Sequence, residues 1–541
     1  MTRPGMEEMR VFCPEHPAAA LQAMWRKMNG AWSFSGQSQQ LIFGSDKRDA
    51  NTRFAALTMN PVITVFGALF ACLMIYGSYR HQLIFDEAQA WLIARDSHGL
   101  MDLFRHLRYE GHPALWYLLL YLPAHFSGNV VWMKAIHCAL SIAMGWLIVG
   151  EKRMPATVRI FIIFSAYMFF FIGIFVRSYV LAAVLLIVAA RCLAGGRNHW
   201  LGVLALGLAI NTHFLAIPVA AGIFFWTYVM EPDAKGLRIR ALLQSRRFWV
   251  SMAMIFLSLV VCYLAVKPQP DVLPKPGLSP FRYVIVGMGR EIWRFFVPFS
   301  WVLPPMGEKL WVSIALISLG LVGVFALPTR RARFFMMSVT ISWAVVEWIT
   351  AHSPSFLHAS FVYVTYVISL LLVDGREWRD FRLTNPLREQ LLSILLCFQV
   401  LIGVVWFVVD LTHLTSAGRY TAAWITRSGM ADRPLVVEPD LLGPAILANS
   451  GIASAYYPAC RCEGSFVVFR ESRDGLQQVS RAEIETLRSR YYRYPLLIVS
   501  RLLPDPDRKR LGLKLLYTSP HGWMSPAEDA LVYSTGPDSK P

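Results

Sequence analysis

Two carboxylates stand side by side at Asp86 and Glu87, directly after a long apolar run, and Glu110-Gly111-His112-Pro113 closes the polar segment that they open. A carboxylate in such a place can take the proton from an attacking hydroxyl, and a histidine or second carboxylate nearby can orient it. Neighbouring helical residues point about 100° apart, so Asp86 and Glu87 do not both meet one atom. One is expected to act on substrate while the other binds a cation or the backbone. The plain alternative is an acidic first helical turn favoured by the dipole. Likewise, Gly111 and Pro113 read equally as a helix stop. Arg177-Ser178-Tyr179 lies between apolar stretches. An arginine buried in a membrane costs about 2.5–3.5 kcal/mol on insertion scales, so it has a partner or a purpose. A phosphate suits its fork, and snorkelling to headgroups is the ordinary alternative. Asn211-Thr212-His213 interrupts another apolar run, and His358 begins a later one. Lone histidines of this kind are often structural.

These residues need a frame, and the composition names it. Hydrophobic residues make up 55% of the chain and charged residues only 16%, against about 25% charged in soluble domains. Each helical crossing takes roughly 20 apolar residues. Clear runs are Pro61–Tyr79, Val130–Gly150, Val158–Val176, Tyr179–Leu193, Trp249–Val266, Leu310–Leu327, Phe334–Thr350, Phe356–Val373 and Leu391–Val409. Trp200–Met230 is expected to form two short helices broken near Asn211–His213. About eleven spans result. Basic residues cluster at Lys152/Arg153, Arg191/Arg197, Lys235–Arg246, Arg330–Arg333 and Arg376–Arg388, which the positive-inside rule places in the cytoplasm. Residues 80–129 and 267–309 are then external loops, and His112–Phe126 lies along the outer interface instead of crossing. On this topology Asp86, Glu87, Glu110, His112, Arg177, His213 and His358 all map to the outer side.

The expected fold class is an α-helical polytopic membrane protein with a small C-terminal extracytoplasmic α/β domain. Residues 1–55, polar and without a signal-peptide pattern, form a cytoplasmic arm; 56–410 form the transmembrane domain; 411–541 form the outer domain, where charge returns between short apolar runs. The first external loop reads as two interfacial helices, Asp86–Arg95 and one carrying Leu100, Leu103, Phe104 and Leu107. The second loop opens with the proline-rich 267–280 and continues into an amphipathic segment over Phe281–Trp301. Five of the eight cysteines lie in apolar runs and read as small core residues, while Cys460 and Cys462 are too close together for an easy mutual disulfide. The net charge of +17 fits basic loops against anionic lipid, and nucleic-acid binding is set aside because no module for it is present.

Phe85-Asp86-Glu87-Ala88, Glu110-Gly111-His112-Pro113-Ala114-Leu115-Trp116-Tyr117, Arg177-Ser178-Tyr179 and Asn211-Thr212-His213, in this order, resemble a bacterial family of GT-C glycosyltransferases. That group holds the protein O-mannosyltransferases and the lipid A aminoarabinose transferase. The likeness covers about Arg80 to Ile217 by motif and extends by hydropathy to about Asp410. Tail segments Ala455–Pro458 and Gly464–Val468 also resemble the group's outer domain. Relatives often carry Arg-His before the tenth span, where this chain has Leu357-His358.

The resemblance implies a multi-pass protein of the bacterial inner membrane, with its N-terminus in the cytoplasm. It would transfer a sugar, with inversion, from a polyprenyl-phosphate donor to a hydroxyl of a lipid, glycan or protein acceptor outside. Asp86 and Glu87 would be the catalytic pair, Asp86 as general base and Glu87 orienting the acceptor or a cation. Glu110, His112, Arg177, Tyr179, His213 and His358 would bind substrate, Arg177 and His358 at the leaving phosphate. Some relatives use a divalent metal and others do not, so no cofactor is assigned. A transporter or flippase, and a catalytically silent membrane protein, are the rival classes. The outer-surface clustering of polar residues and the lack of a visible inverted repeat favour the transferase.

Overall fold

The computed structural model describes residues 61–194, 198–229, 239–272, 280–296, 309–350, 356–473, 479–491, 495–501, 509 and 511–535. The arm 1–55, half of the proline-rich stretch, the end of the following amphipathic segment and the turn before His358 lie outside them. The chain is mostly helical. In order the helices are α1 Pro61–Arg80, α2 Phe85–Asp96, α3 Leu100–Glu110, α4 Leu115–Ser127, α5 Val131–Val149, α6 Ala156–Ile163, α7 Tyr179–Ala194, α8 His199–Ile210, α9 Ala216–Val229 and α10 Ile239–Gln244. There follow α11 Arg246–Val266, α12 Phe281–Phe296, α13 Leu310–Ala326, α14 Arg330–Ile349, α15 Phe356–Leu371, α16 Gly375–Thr384 and α17 Pro386–Thr412.

Five described helices, α1, α5, α11, α14 and α17, are each long and apolar enough to cross a membrane, and α15 with α16 forms a sharply bent pair that also qualifies. The other apolar helices are shorter. The predicted break near Asn211–His213 separates α8 from α9. The expected span Val158–Val176 is not one helix. It stops at α6, resumes at Ser165 as a π-helix over Ala166–Phe171, and then runs irregularly to Arg177. Ser165 is the reason: its Oγ caps the new turn at the Met168 amide and donates to Ile162 O, giving the backbone a local alternative to helix. That irregular run delivers Arg177.

The tail adds α18 Gly418–Arg427, α19 Gly443–Ser450 and α20 Arg481–Arg490, with strands β1 Leu435–Glu438, β2 Ala455–Tyr457, β3 Cys462–Gly464, β4 Leu497–Ser500, β5 Lys514–Thr518 and β6 Leu531–Ser534. The sheet order is β3-β2-β1-β4-β6-β5. β1 runs parallel to β2 and β4 and is buried along its length, as central strands covered on both faces are. Val436 and Ile498 pack with Ile484 and Leu487 of α20. On the other face Val437, Leu497 and Val499 join Ala422, Ile446 and Leu447, and that cluster continues without a break into Trp91, Leu92 and Leu120 of the first loop. The two helices expected in that loop are present. α2 is covered by protein over most of its surface, whereas α3 buries Leu103 and Leu107 and exposes Leu100 and Met101.

One expectation fails here. Cys460 and Cys462 are disulfide-bonded. Arg461 between them takes a positive φ of 52°, which folds the chain back and brings the two Cα atoms 5.2 Å apart.

Candidate active site

The turn between α1 and α2 is built by charge. His81 is wholly buried, with Nε2 3.1 Å from Glu87 and Nδ1 3.1 Å from Asp410 on the last turn of α17. Burial alone would lower its pKa, but Asp410 and Glu87 outweigh it and push the imidazole up to about 10. His81 is therefore a protonated bridge between two carboxylates. Glu87 also accepts from the amides of Ile84 at 2.8 Å and Val176 at 2.5 Å. Glu528 of the tail accepts from the Phe85 amide at 2.8 Å and from Ser416 at 2.6 Å. These bonds fix both the start of α2 and the residue before Arg177.

With its neighbour so held, Asp86 turns the other way. Its Oδ2 lies 2.9 Å from Arg177 Nη1; the carboxylate is 48% exposed and the guanidinium 13%. The pair opens on a cavity of about 240 Å³ lined by Phe85, Asp86, Ala90, Glu110, His112, Trp116, Tyr117, Arg177, Ser178, His358 and Phe469. Arg177 also stands 5.8 Å over the Tyr179 ring.

Glu110 ends α3, and Gly111 after it takes φ 67°, the left-handed turn that glycine adopts without cost. Burial raises the Glu110 carboxyl to about 7, Asp86 adds to the rise, and a 2.7 Å hydrogen bond from Gln89 opposes it. His112 is pushed down to about 4 by burial and by Arg177. It is neutral, donates Nδ1–H to Glu110 O at 2.9 Å, and so keeps Nε2 as an acceptor. Leu115 N donates to Asn211 O at 2.9 Å, which ties this segment to the α8–α9 break.

Of the residues singled out by type and spacing, Asp86, Glu110, His112, Arg177 and His358 line one cavity. Tyr179 and His213 form a layer behind it: the rings are 4.8 Å apart, and His213 stands 5.5 Å from His112 and 6.4 Å from His358. His213 Nδ1 accepts from Leu215 N at 3.1 Å. Glu87 is wholly buried and faces His81 and backbone amides instead of the cavity. It does not line the cavity, which departs from the acceptor-orienting catalytic role that the resemblance implies for it. Among the described residues no group of three His, Cys, Asp or Glu side chains converges as a metal site.

Sequence reasoning passed over His81, Gln89, Glu347, Asp410, Phe469 and Glu528. Glu347 pairs with His358 Nδ1 at 3.0 Å. Both Glu347 and Asp410 are lone acids in apolar runs, a signal that points to function or a buried partner. Gln89, Phe469 and Glu528 matter only through contacts distant in sequence and carry no such signal.

Neither a protein-family model nor a curated protein matches this sequence. Among solved structures it is similar to ArnT from Cupriavidus metallidurans, crystallised bound to undecaprenyl phosphate. The TM-score is 0.50 at 12% identity, over 90% of this chain and 100% of that one. Identity so low speaks for the fold alone. The chain therefore shares the overall fold of that ArnT structure.

Proposed function

We propose that the protein moves a sugar from a polyprenyl-phosphate donor to an acceptor hydroxyl on the extracytoplasmic side, with inversion. The observation that carries this reading is the Asp86–Arg177 ion pair at the mouth of a polar cavity, in a fold shared with a structure that binds undecaprenyl phosphate. Arg177 sits where the irregular apolar run ends and α7 begins, within reach of a phosphate whose lipid tail stays in the bilayer. As the donor phosphate takes the guanidinium, it displaces Asp86 and frees that carboxylate. Asp86 then accepts the acceptor's proton while the acceptor oxygen attacks the anomeric carbon. The bond from that carbon to the phosphate oxygen breaks, and polyprenyl phosphate leaves with the electron pair. Arg177 stabilises the charge as it develops.

Glu110, poised near pH 7, is suited to relay the proton onward, and neutral His112 offers Nε2 to orient the incoming hydroxyl. His358, held by Glu347, supplements Arg177 where relatives place an arginine before it. Glu87 is a positioning residue, through the Val176 amide beside Arg177. No step here is routed through a metal. The cytoplasmic placing of the basic loops agrees with a disulfide in the tail, since such bonds persist outside the cytoplasm.

The test is transfer of labelled sugar from synthetic polyprenyl-phosphate donors by membranes carrying the protein, beside Asp86→Asn at equal expression. Label that reaches an acceptor only with Asp86 intact supports the proposal. Undiminished transfer by the variant removes Asp86 as base.

A further inference from the structure

The tail does more than rest on the transmembrane domain. Its segment 465–469 crosses from β3 over the first external loop without regular structure, and the chain is fastened on both sides of Phe469. Before that residue, Ser465 hydrogen-bonds Asp96, and the Phe466 ring packs edge-on to His106 at 4.8 Å. The Val467 backbone makes a two-way bond with the Gln89 side-chain amide, N–H to Oε1 at 3.0 Å and Nε2–H to O at 2.6 Å. After it, Arg470 bridges to Val272 and lies 4.6 Å over the Tyr109 ring, while the Glu471 amide donates to Asp271 O at 2.8 Å. Tyr109 donates to the Asp271 carboxylate at 3.0 Å. The residue so fastened presents an aromatic ring to the cavity, 6.5 Å from and nearly perpendicular to Phe85.

Gln89 is 2% exposed, and its Nε2 also donates to Glu110 at 2.7 Å. One buried amide thus sets the strap and the cavity carboxylate in a single geometry. A buried polar group satisfied on every side rigidifies what it joins.

We propose, resting on the transferase reading, that the acceptor is a carbohydrate and that Phe469 is the surface its sugar ring lies against. Gln89 is then the positioning residue. On that reading the donor's phosphate is held at Arg177 and its lipid by the bilayer, so the strap from the C-terminal segment is assigned to the acceptor. A pyranose ring offers one face of C–H groups and an edge of hydroxyls. The cavity answers with the Phe469, Phe85 and Trp116 rings beside Asp86, Glu110 and His112.

The experiment uses the full chain in lipid nanodiscs with the polyprenyl-phosphate donor. The acceptor probes are methyl glycosides of common hexoses, with a threonine-containing peptide as rival. Undecaprenyl phosphate binding is measured separately. Transfer to a glycoside is expected, with KM for it raised about tenfold or more in Phe469→Ala, kcat changed less than about threefold, and Phe469→Trp restoring KM. Undecaprenyl phosphate binding stays unchanged in both. Gln89→Leu removes a bond that favours ionised Glu110, so the limb of the pH profile that Glu110 sets moves to higher pH. An unaltered KM in Phe469→Ala, or preference for the peptide, overturns this proposal and leaves the transferase reading standing. Absence of transfer to any acceptor, water included, by folded wild type overturns the reading itself.

Discussion

Asp86 and Glu87 share a helix turn and a chemistry, yet their surroundings differ in every respect that decides what a carboxylate does. Asp86 is half exposed, faces a cavity and has one charged partner, Arg177. Glu87 is wholly buried and holds a protonated histidine and two backbone amides. A carboxylate whose lone pairs are all engaged is a strut. One whose single partner can be taken by a competing anion is available for chemistry. The roughly 100° between successive helical residues separates these roles by direction, and the His81–Asp410 cluster makes the separation firm.

The largest expected contrast is functional. Asp86→Asn lowers sugar transfer by about 10²–10⁴-fold, the usual contribution of a positioned base, with the thermal midpoint in detergent unmoved. Glu87→Gln does the reverse in kind: it strips a buried charge from His81 and destabilises the fold by about 3–5 kcal/mol, read by thermal unfolding. A Glu87→Gln protein of wild-type stability, inactive only in chemistry, would collapse the distinction.

A third prediction concerns pH. The folded pKa of Glu110, about 7, lies above its ordinary 4.5. Between these values the folded chain holds a proton that the unfolded chain has lost. This contribution to stability is therefore fully present below about pH 4.5 and is lost as pH rises through about 7. Glu110→Gln, which cannot titrate, flattens the fall of the thermal midpoint over that window, and an identical slope would contradict the burial argument. Smallest of all is an exposed pair. Arg382 and Glu389 lie 2.9 Å apart, at 58% and 35% exposure, and Arg382→Ala changes stability by less than about 0.5 kcal/mol. A larger loss would mean that distance, not surroundings, ranks these ion pairs.

The membrane class and the α8–α9 break were legible because each is local, while Asp86, Glu110, His112, Arg177 and His358 could be picked out one by one as polar residues beside apolar runs. Apolar runs, stop signals and lone charges in apolar runs can be read along the chain. What was not legible depended on partners far apart in sequence. Nothing near Glu87 announces His81 bridged to Asp410, and nothing near Gln89 announces Val467. The break inside Val158–Val176 escaped because the residues are mostly apolar, while one serine hydroxyl redirects the backbone. The Cys460–Cys462 bond escaped because close spacing argues against pairing unless the intervening residue takes a left-handed turn, as Arg461 does.

The central claim is that donor phosphate and Asp86 compete for Arg177. It is tested most directly by the affinity of the full chain in nanodiscs for undecaprenyl phosphate, in wild type, Asp86→Asn and Arg177→Ala. Competition predicts that Asp86→Asn binds roughly three- to tenfold more tightly than wild type although it transfers sugar far more slowly, while Arg177→Ala binds more weakly. Equal affinity in wild type and Arg177→Ala, or weaker binding by Asp86→Asn, would contradict the account.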